Sequence, residues 1–339
     1  MNAQRQPATL SDNELRATIY FAVGVASEGS LAGRNVAYDL SFAGYIHREG
    51  DTARREPREP GQFRAGQLEP IYNSGYSVGT LQTDFGQQRN DPNRNADQLL
   101  DAYQTWARQP GQRANLALSA AEYDQASDAL RRQGNEIRGD RQTTADNGFD
   151  VPGGIKTRLN EFLRSDAGIT FVHGQDVRQV NHLLRDGGAV RELEDTTLYR
   201  NATADDQIRM ATVMAKLENQ DGSRNWPSVI RRIEIGTIDS LDDLKAAVPR
   251  HLQGDRDNAL RGAELVISLR GAEVGNPLRD AWQDVVANPL WSTRRSWTRT
   301  EPALTWKPSI RPSRTCSWHQ TREEGSTKRW MRAAPAPRR

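Results

Sequence analysis

The sequence predicts an α-rich α+β fold, predominantly α-helical, with one small β-hairpin region beside its first helix. Three observations carry this. Two S-x-x-E capping boxes, at Ser11/Glu14 and Ser119/Glu122, open stretches whose apolar residues recur at helical spacing. Beyond residue 90 the helical period dominates. Only residues 72–87, YNSGYSVGTLQTDFGQ, alternate like a strand pair, punctuated by Asn73, Ser74, Gly75 and Gly79. With few strands and many helices, the class follows.

The first helix is predicted over residues 11–29, SDNELRATIYFAVGVASEG. Ser11 is its N-cap, Glu14 completes the box, and Leu10 and Leu15 are placed for a hydrophobic staple. Leu15, Ile19, Ala22 and Val23 share one face, Phe21 and Val25 widen it, and Gly29 is a natural stop. Glu28 stands at the C-terminal end of this apolar segment. The negative end of a helix dipole and an apolar surround both disfavour a charged carboxylate. A glutamate held protonated in such a place suits a general acid. The plain alternative is an exposed glutamate at a frayed helix end.

Residues 48–70, REGDTARREPREPGQFRAGQLEP, are charged and rich in Pro and Gly, and are predicted as an exposed loop. They read either as a cleft lip carrying Arg48, Arg54, Arg55 and Arg58 or as a solvated linker. In the alternating stretch, Tyr76, Val78 and Thr80 take one parity. Asp84, before Phe85-Gly86, reads as a turn residue as readily as a functional one. Further helices are predicted over residues 97–108, 119–130, 155–163, 177–184, 205–217 and 241–248, the last capped by Ser240. Residues 134–154 are polar loop, and their GGIK lacks the spacing of a phosphate loop.

Composition narrows the function classes. Mean hydropathy is −0.80 and no apolar run approaches the roughly 18 residues of a spanning helix, so the chain reads as soluble. Residues 1–10 contain no apolar core of a secretory signal. The net charge of +2 is unevenly spread: residues 291–339 hold 12 Lys and Arg against 3 acidic residues, so the remainder is acidic. That tail also carries five of the eight Trp and the sole cysteine, Cys316, but no apolar periodicity. It reads as a basic aromatic nucleic-acid-binding tail or as an out-of-frame extension, and we favour the second. His173, Asp176 and His182 match no zinc spacing and read as ordinary histidines beside an aspartate. One cysteine leaves no disulfide framework.

The helix ending in Glu28, followed by the segment SGYSVGTLQTDFGQ, resembles the lysozyme-like superfamily of glycan hydrolases. Within it the chain is similar to phage-type lysozymes and bacteriocin muramidases, and Gly75-Tyr76-Ser77-Val78-Gly79 is similar to the chitosanases. The wording of the whole segment looks like that of peptidoglycan-degrading effectors injected into competing bacteria. The likeness is sharp over residues 11–90 and looser to about residue 250. It implies a catalytic region over residues 1–150, completed or extended by residues 151–290.

In these families the glutamate protonates the glycosidic oxygen, and an aspartate with a Thr or Ser holds water or stabilises the developing cation. Glu28 matches the acid and Ser77 the hydroxyl of the chitosanase pattern. The second carboxylate does not map cleanly. The chitosanase position holds Tyr72 and Asn73, the phage-type position holds Ala37 with Asp39 two residues beyond, and the muramidase pattern selects Thr80 and Asp84. Asp84 is favoured because it shares the hairpin with Thr80 and Gln82. Tyr76 and Gln82 are the expected sugar contacts. The resemblance implies a muramidase needing no cofactor and no metal, acting on peptidoglycan, with a chitosanase or chitinase as the nearest enzyme alternative. A non-catalytic wall-binding or phage structural protein is the rival from another class. Implied partners are a secretion machinery and an immunity protein, with membrane and nucleic acid set aside, and delivery to a target's wall follows synthesis in the cytoplasm.

Because residues 291–339 add no patterned apolar surface to a core, deleting them is expected to leave the melting temperature within a degree or so. Differential scanning fluorimetry of the two proteins checks this; a loss of many degrees would show that the tail packs on the body.

Overall fold

The computed structural model describes residues 10–28, 37–42, 45–49, 52–56, 68–70, 75–133, 151 and 153–287. The predicted positions at Gly29, Arg58, Asn73 and Ser74, most of residues 134–154, and the whole 291–339 tail lie outside them.

Helix α1, Asp12–Ile19, starts as its sequence dictates. The Glu14 N–H donates to Ser11 Oγ, and the Ser11 N–H donates to Glu14 Oε2 at 3.0 Å. Leu10 and Leu15 are buried in the same apolar cluster. From Tyr20 to Glu28 the chain continues as a π-helix, a conformation rare at this length and enriched at functional sites. Leu15, Ile19, Phe21, Ala22 and Val23 are fully buried, as the apolar pattern predicts.

The β-region forms two small antiparallel sheets among the described residues. Strand β1, Ser41–Phe42, pairs with β5, Tyr76–Val78, which pairs with β6, Thr83–Asp84, in the register Ser77↔Asp84. This is the predicted hairpin. Strand β2, Tyr45–Glu49, lies between β3, Thr52–Glu56, and β4, Leu68–Pro70. Most of the predicted loop over residues 48–56 is thus paired strand. Its polar composition hid this, because ladder hydrogen bonds do not require apolar side chains. The Gly50-Asp51 pair between the two runs is the overlooked hairpin signal.

The remaining chain is helical, so the α-rich class holds. Helices α2, Ala96–Ala107, α3, Ala120–Leu130, and α4, Gly153–Leu163, fall where the periodicity places them. Helix α5, Asp166–Leu183, begins eleven residues earlier than predicted, at an N-cap supplied by Ser165 to the Gly168 N–H. Then come α6, Ala189–Glu194, α7, Thr197–Arg200, α8, Ala204–Asp221, α9, Trp226–Glu234, α10, Leu241–Ala247, α11, Gln253–Gly271, and α12, Pro277–Ala287. No described helix is long and apolar enough to cross a membrane.

Two apolar clusters form the interior. One gathers α1, the π segment, Leu81, the C-terminal half of α5, and the helices from α6 to α12. The other gathers Tyr76, Val78, Phe85, α2, α3, α4 and Val172. Helix α1 and its π continuation therefore pack with residues 177–285, and those helices close around them. Helix α5 and the hairpin turn serve both clusters: Val172 and Val78 belong to one, Val177 and Leu81 to the other. Helix α11 approaches the π segment most closely at Gly262, where a Cβ would lie 2.2 Å from the Ala22 carbonyl oxygen.

Gly262→Ala must therefore push α11 away from the segment that ends in Glu28. We expect a loss of about 1–3 kcal/mol, the usual cost of overpacking, read as a lowered urea midpoint with helical content retained. An unchanged midpoint would mean that the two helices do not touch there.

Candidate functional site

The π segment delivers Glu28 to the surface of α8, not to an apolar surround. Three side chains from one face of α8 converge on Oε1: Lys216 Nζ at 2.5 Å, Gln220 Nε2 at 2.7 Å and Asn219 Nδ2 at 3.2 Å. Oε2 accepts no hydrogen bond from any described residue. The Glu28 side chain is 14% exposed, and that of Lys216 only 3%. Lys216 Nζ also lies 3.5 Å from Asp255 Oδ1 on α11. Lys216, Gln220, Asp255 and Arg256 line a small open depression with Val213, Leu217, Val248 and Leu252, with room for about one water. The expectation that Glu28 lies beside apolar core is thus corrected. Its immediate surround is polar and charged, because α8 places KLENQ, residues 216–220, against it.

A chain of hydrogen bonds leads away from this point. Gln179 Nε2 on α5 donates to Asn219 Oδ1 at 2.8 Å, and Arg94 Nη1 donates to Gln179 Oε1 at 2.5 Å. Arg94 Nε bonds Asp91 at 2.7 Å, and its Nη2 lies 3.5 Å from His182 Nδ1. Arg94, Gln179 and Lys216 are all buried.

The hairpin turn meets the π segment one helical turn before Glu28. A Cβ on Gly24 would lie 3.1 Å from Thr80 Cγ2 and 3.2 Å from a Leu81 side-chain carbon, so glycine permits the approach. The turn itself is held by Asp176 of α5, which is fully buried. Its carboxylate accepts from the Thr80 N–H at 3.1 Å and the Leu81 N–H at 3.2 Å. The Thr80 side chain lies against both Asp176 and Tyr20 and favours their charged forms. Gly79, at φ +87°, admits the carboxylate where any Cβ would clash with it. Burial pushes the Asp176 carboxyl up to about 6, against the pull of these donors. Alongside, Tyr38 Oη and His173 Nε2 are 2.8 Å apart, and burial drives His173 down to about 4.

The six residues expected at the site are thus dispersed. Glu28 bonds Lys216 and Gln220, two of the residues that line the depression, and is not itself part of the lining. Thr80 turns inward to Asp176 and Tyr20, and Ser77 sits buried within β5. Tyr76, expected to touch sugar, is 0% exposed and packed in the second cluster, with Lys156 Nζ 5.4 Å from its ring centre. A ring enclosed there cannot stack on a saccharide, so the sugar-contact expectation is corrected; strand alternation had left its direction open. Gln82, at φ 53°, donates its side-chain amide to the Gly79 carbonyl at 2.8 Å. Asp84 serves its own loop: Oδ2 accepts from the Gly75 N–H at 2.8 Å and Oδ1 from the Gln87 N–H at 3.0 Å. Burial pushes its carboxyl up, and these backbone donors oppose the shift. Asp39, the other aspartate weighed, pairs with Arg164 at 2.6 Å.

Lys216, Asn219, Gln220 and Asp255 were not foreseen. Their signal was a lysine between Val213 and Leu217, on the apolar stripe of a helix where a charge has no place without a partner. The described residues contain no group of three or more His, Cys, Asp or Glu placed to hold a metal.

Asp176 gives a pH signature. Its proton is held more tightly folded than unfolded, so its contribution to stability is full below about pH 4 and is lost as pH rises through about 6. The loss should approach about 2–3 kcal/mol, two pK units' worth. Urea titrations between pH 4 and 7 should show it in the wild type and show it missing in Asp176→Asn. Parallel profiles would assign the dependence to other groups.

Comparison with protein-family models, with curated proteins and with solved structures found no match, so the site rests on its own geometry.

Proposed function

We propose that the protein is a lysozyme-like glycoside hydrolase that cleaves the glycan strands of peptidoglycan, with Glu28 as general acid. The observation that supports this most is the asymmetry of the Glu28 carboxyl group. Three donors fix Oε1, while Oε2 is engaged by none of the described residues. In this reading the anchored oxygen fixes the group's aim and the other meets the glycosidic oxygen. The π-helical end and the desolvated Lys216 beneath it add rigidity at the same point.

A glycosidase also needs a second carboxylate facing the sugar ring. Asp84, the residue favoured by resemblance, spends both oxygens on backbone N–H groups of its loop. Asp255 shares Lys216 with Glu28, at 3.5 Å against 2.5 Å, so their nearest oxygens lie within roughly 6 Å of each other. That bound accommodates the separation of about 5–5.5 Å used by retaining enzymes. In this reading Glu28 protonates the leaving oxygen and Asp255 supports the oxocarbenium-like centre. Lys216 holds both in place. Thr80 and Asp84 shape the turn against which the acid helix rests.

The Glu28–Lys216 pair also suits the rival reading, a wall-binding protein in which the glutamate is structural. A chitosanase-type substrate on the same fold is the enzyme alternative. Delivery by a secretion machine and inhibition by an immunity protein belong to the same proposal.

Glu28→Gln separates the readings. Release of fragments from purified sacculi should fall by about 10²–10⁴-fold while co-sedimentation with sacculi persists. Asp255→Asn should lower kcat with little change in KM, whereas Asp84→Asn should lower the melting temperature first. Glu28→Gln protein that keeps more than about a tenth of wild-type turnover would remove Glu28 from the mechanism.

A further inference from the structure

Arg178 is a half-buried cation with no ion-pair partner among the described residues. It lies on α5 one turn after Gly174 and one turn before His182. A Cβ on Gly174 would meet both terminal nitrogens of Arg178 at 3.7 Å, so the guanidinium lies along the helix where a side chain is missing. Its Nε is buried with no hydrogen-bond partner, and among the described residues the side chain makes no ion pair. Arginines on a protein surface are often unpaired without consequence, but this one is desolvated, and burial lowers its pKa. A cation partly withdrawn from water is normally paired.

The neighbours do not supply the missing charge. Asp91 is committed to Arg94, which it bonds at 2.7 Å. His182 is driven to about 4 by burial and by Arg94 and Arg185, so it is neutral at pH 7. The group formed by Arg94, Asp91, Arg178 and His182 therefore carries one net positive charge. One planar monoanion matches it in charge, and the arginine fork matches a carboxylate in shape. A phosphate, carrying more than one charge at neutral pH, fits the balance less well.

We propose that Arg178, flanked by Arg94, is the carboxylate-binding subsite of this protein. Arg94 connects to the candidate acid through two amides, Gln179 and Asn219. Resting on the glycosidase reading, the carboxylate belongs to an acidic stem peptide hanging from the glycan that Glu28 attacks. The binding chemistry itself does not depend on that reading.

The test uses the full chain and reads binding, not hydrolysis. Melting is followed with increasing sodium acetate, against sodium chloride at equal ionic strength and against sodium phosphate. Wild type should show a saturable rise in acetate, larger than in phosphate. Arg178→Gln should lack the rise, and without acetate should melt at or above the wild-type temperature, since an unpaired charge has gone. Arg178→Lys, which keeps the charge and loses the fork, should show a smaller rise. A wild type indifferent to acetate overturns the subsite. So does an Arg178→Gln protein that keeps the rise or melts well below wild type without ligand, and a stronger response to phosphate overturns the carboxylate class. A second arm compares native sacculi with sacculi whose stem carboxylates have been amidated. Wild type should bind the amidated wall about tenfold more weakly, and Arg178→Gln should bind both alike. An acetate response with no preference between the walls overturns the stem-peptide assignment and leaves the glycosidase reading untouched.

Discussion

Burial of the first helix is the constraint on which the rest of the structure depends. Leu15, Ile19, Phe21 and Val23 are fully enclosed, each large apolar side chain contributing about 1.5–3 kcal/mol relative to exposure. What encloses them comes from far along the chain: α8, α11 and α12, with Leu81 from the hairpin turn. The helix is therefore a central strut, and its last residue is placed by contacts made along its whole length. Glycines at its two closest approaches, Gly262 of α11 and Gly24 of the helix itself, let the backbones come near enough to fix that placement.

A single carboxylate couples this strut to the β-region. Asp176 is fully buried and takes the N–H groups of two consecutive turn residues, between a strand that belongs to one apolar cluster and Leu81 that belongs to the other. Satisfied backbone donors make such a turn unique in geometry, because a shifted register would leave both N–H groups and the carboxylate unpaired in the interior. The burial that lifts the Asp176 carboxyl also fixes where Thr80 stands relative to the π segment. Fold and site are joined here, two residues from the glutamine at φ 53° and one helical turn from Glu28.

Much of this was legible in the sequence, and what was not has physical reasons. The capping boxes, the apolar stripe of the first helix and the hairpin at residues 76–84 were readable because local chemistry dictates them. Helix α11 was not: the first half of its buried face is Ala259, Gly262 and Ala263, whose small side chains permit close packing but leave only Val266 and Leu269 as large apolar residues to mark the period. Strands β2 and β3 were masked by their charges. At the site, the position of Glu28 was readable and its company was not. Ion pairing between residues 28, 216 and 255 is a tertiary fact, and the lone sequence hint was a lysine set on an apolar stripe. Tyr76 and Asp84 illustrate the opposite failure: spacing can place a residue on a strand without saying whether its side chain faces a ligand, the core or its own backbone.

The central claim is chemical, that the arrangement around Glu28 adds water across a glycosidic bond. The most direct measurement is digestion of purified sacculi in ¹⁸O-labelled water, followed by mass spectrometry of the released fragments. A glycosidase acting through Glu28 will generate new sugar reducing ends that carry the label, with stem peptides intact. Fragments without labelled reducing ends, or no fragments from a protein that nevertheless binds the wall, would contradict the account.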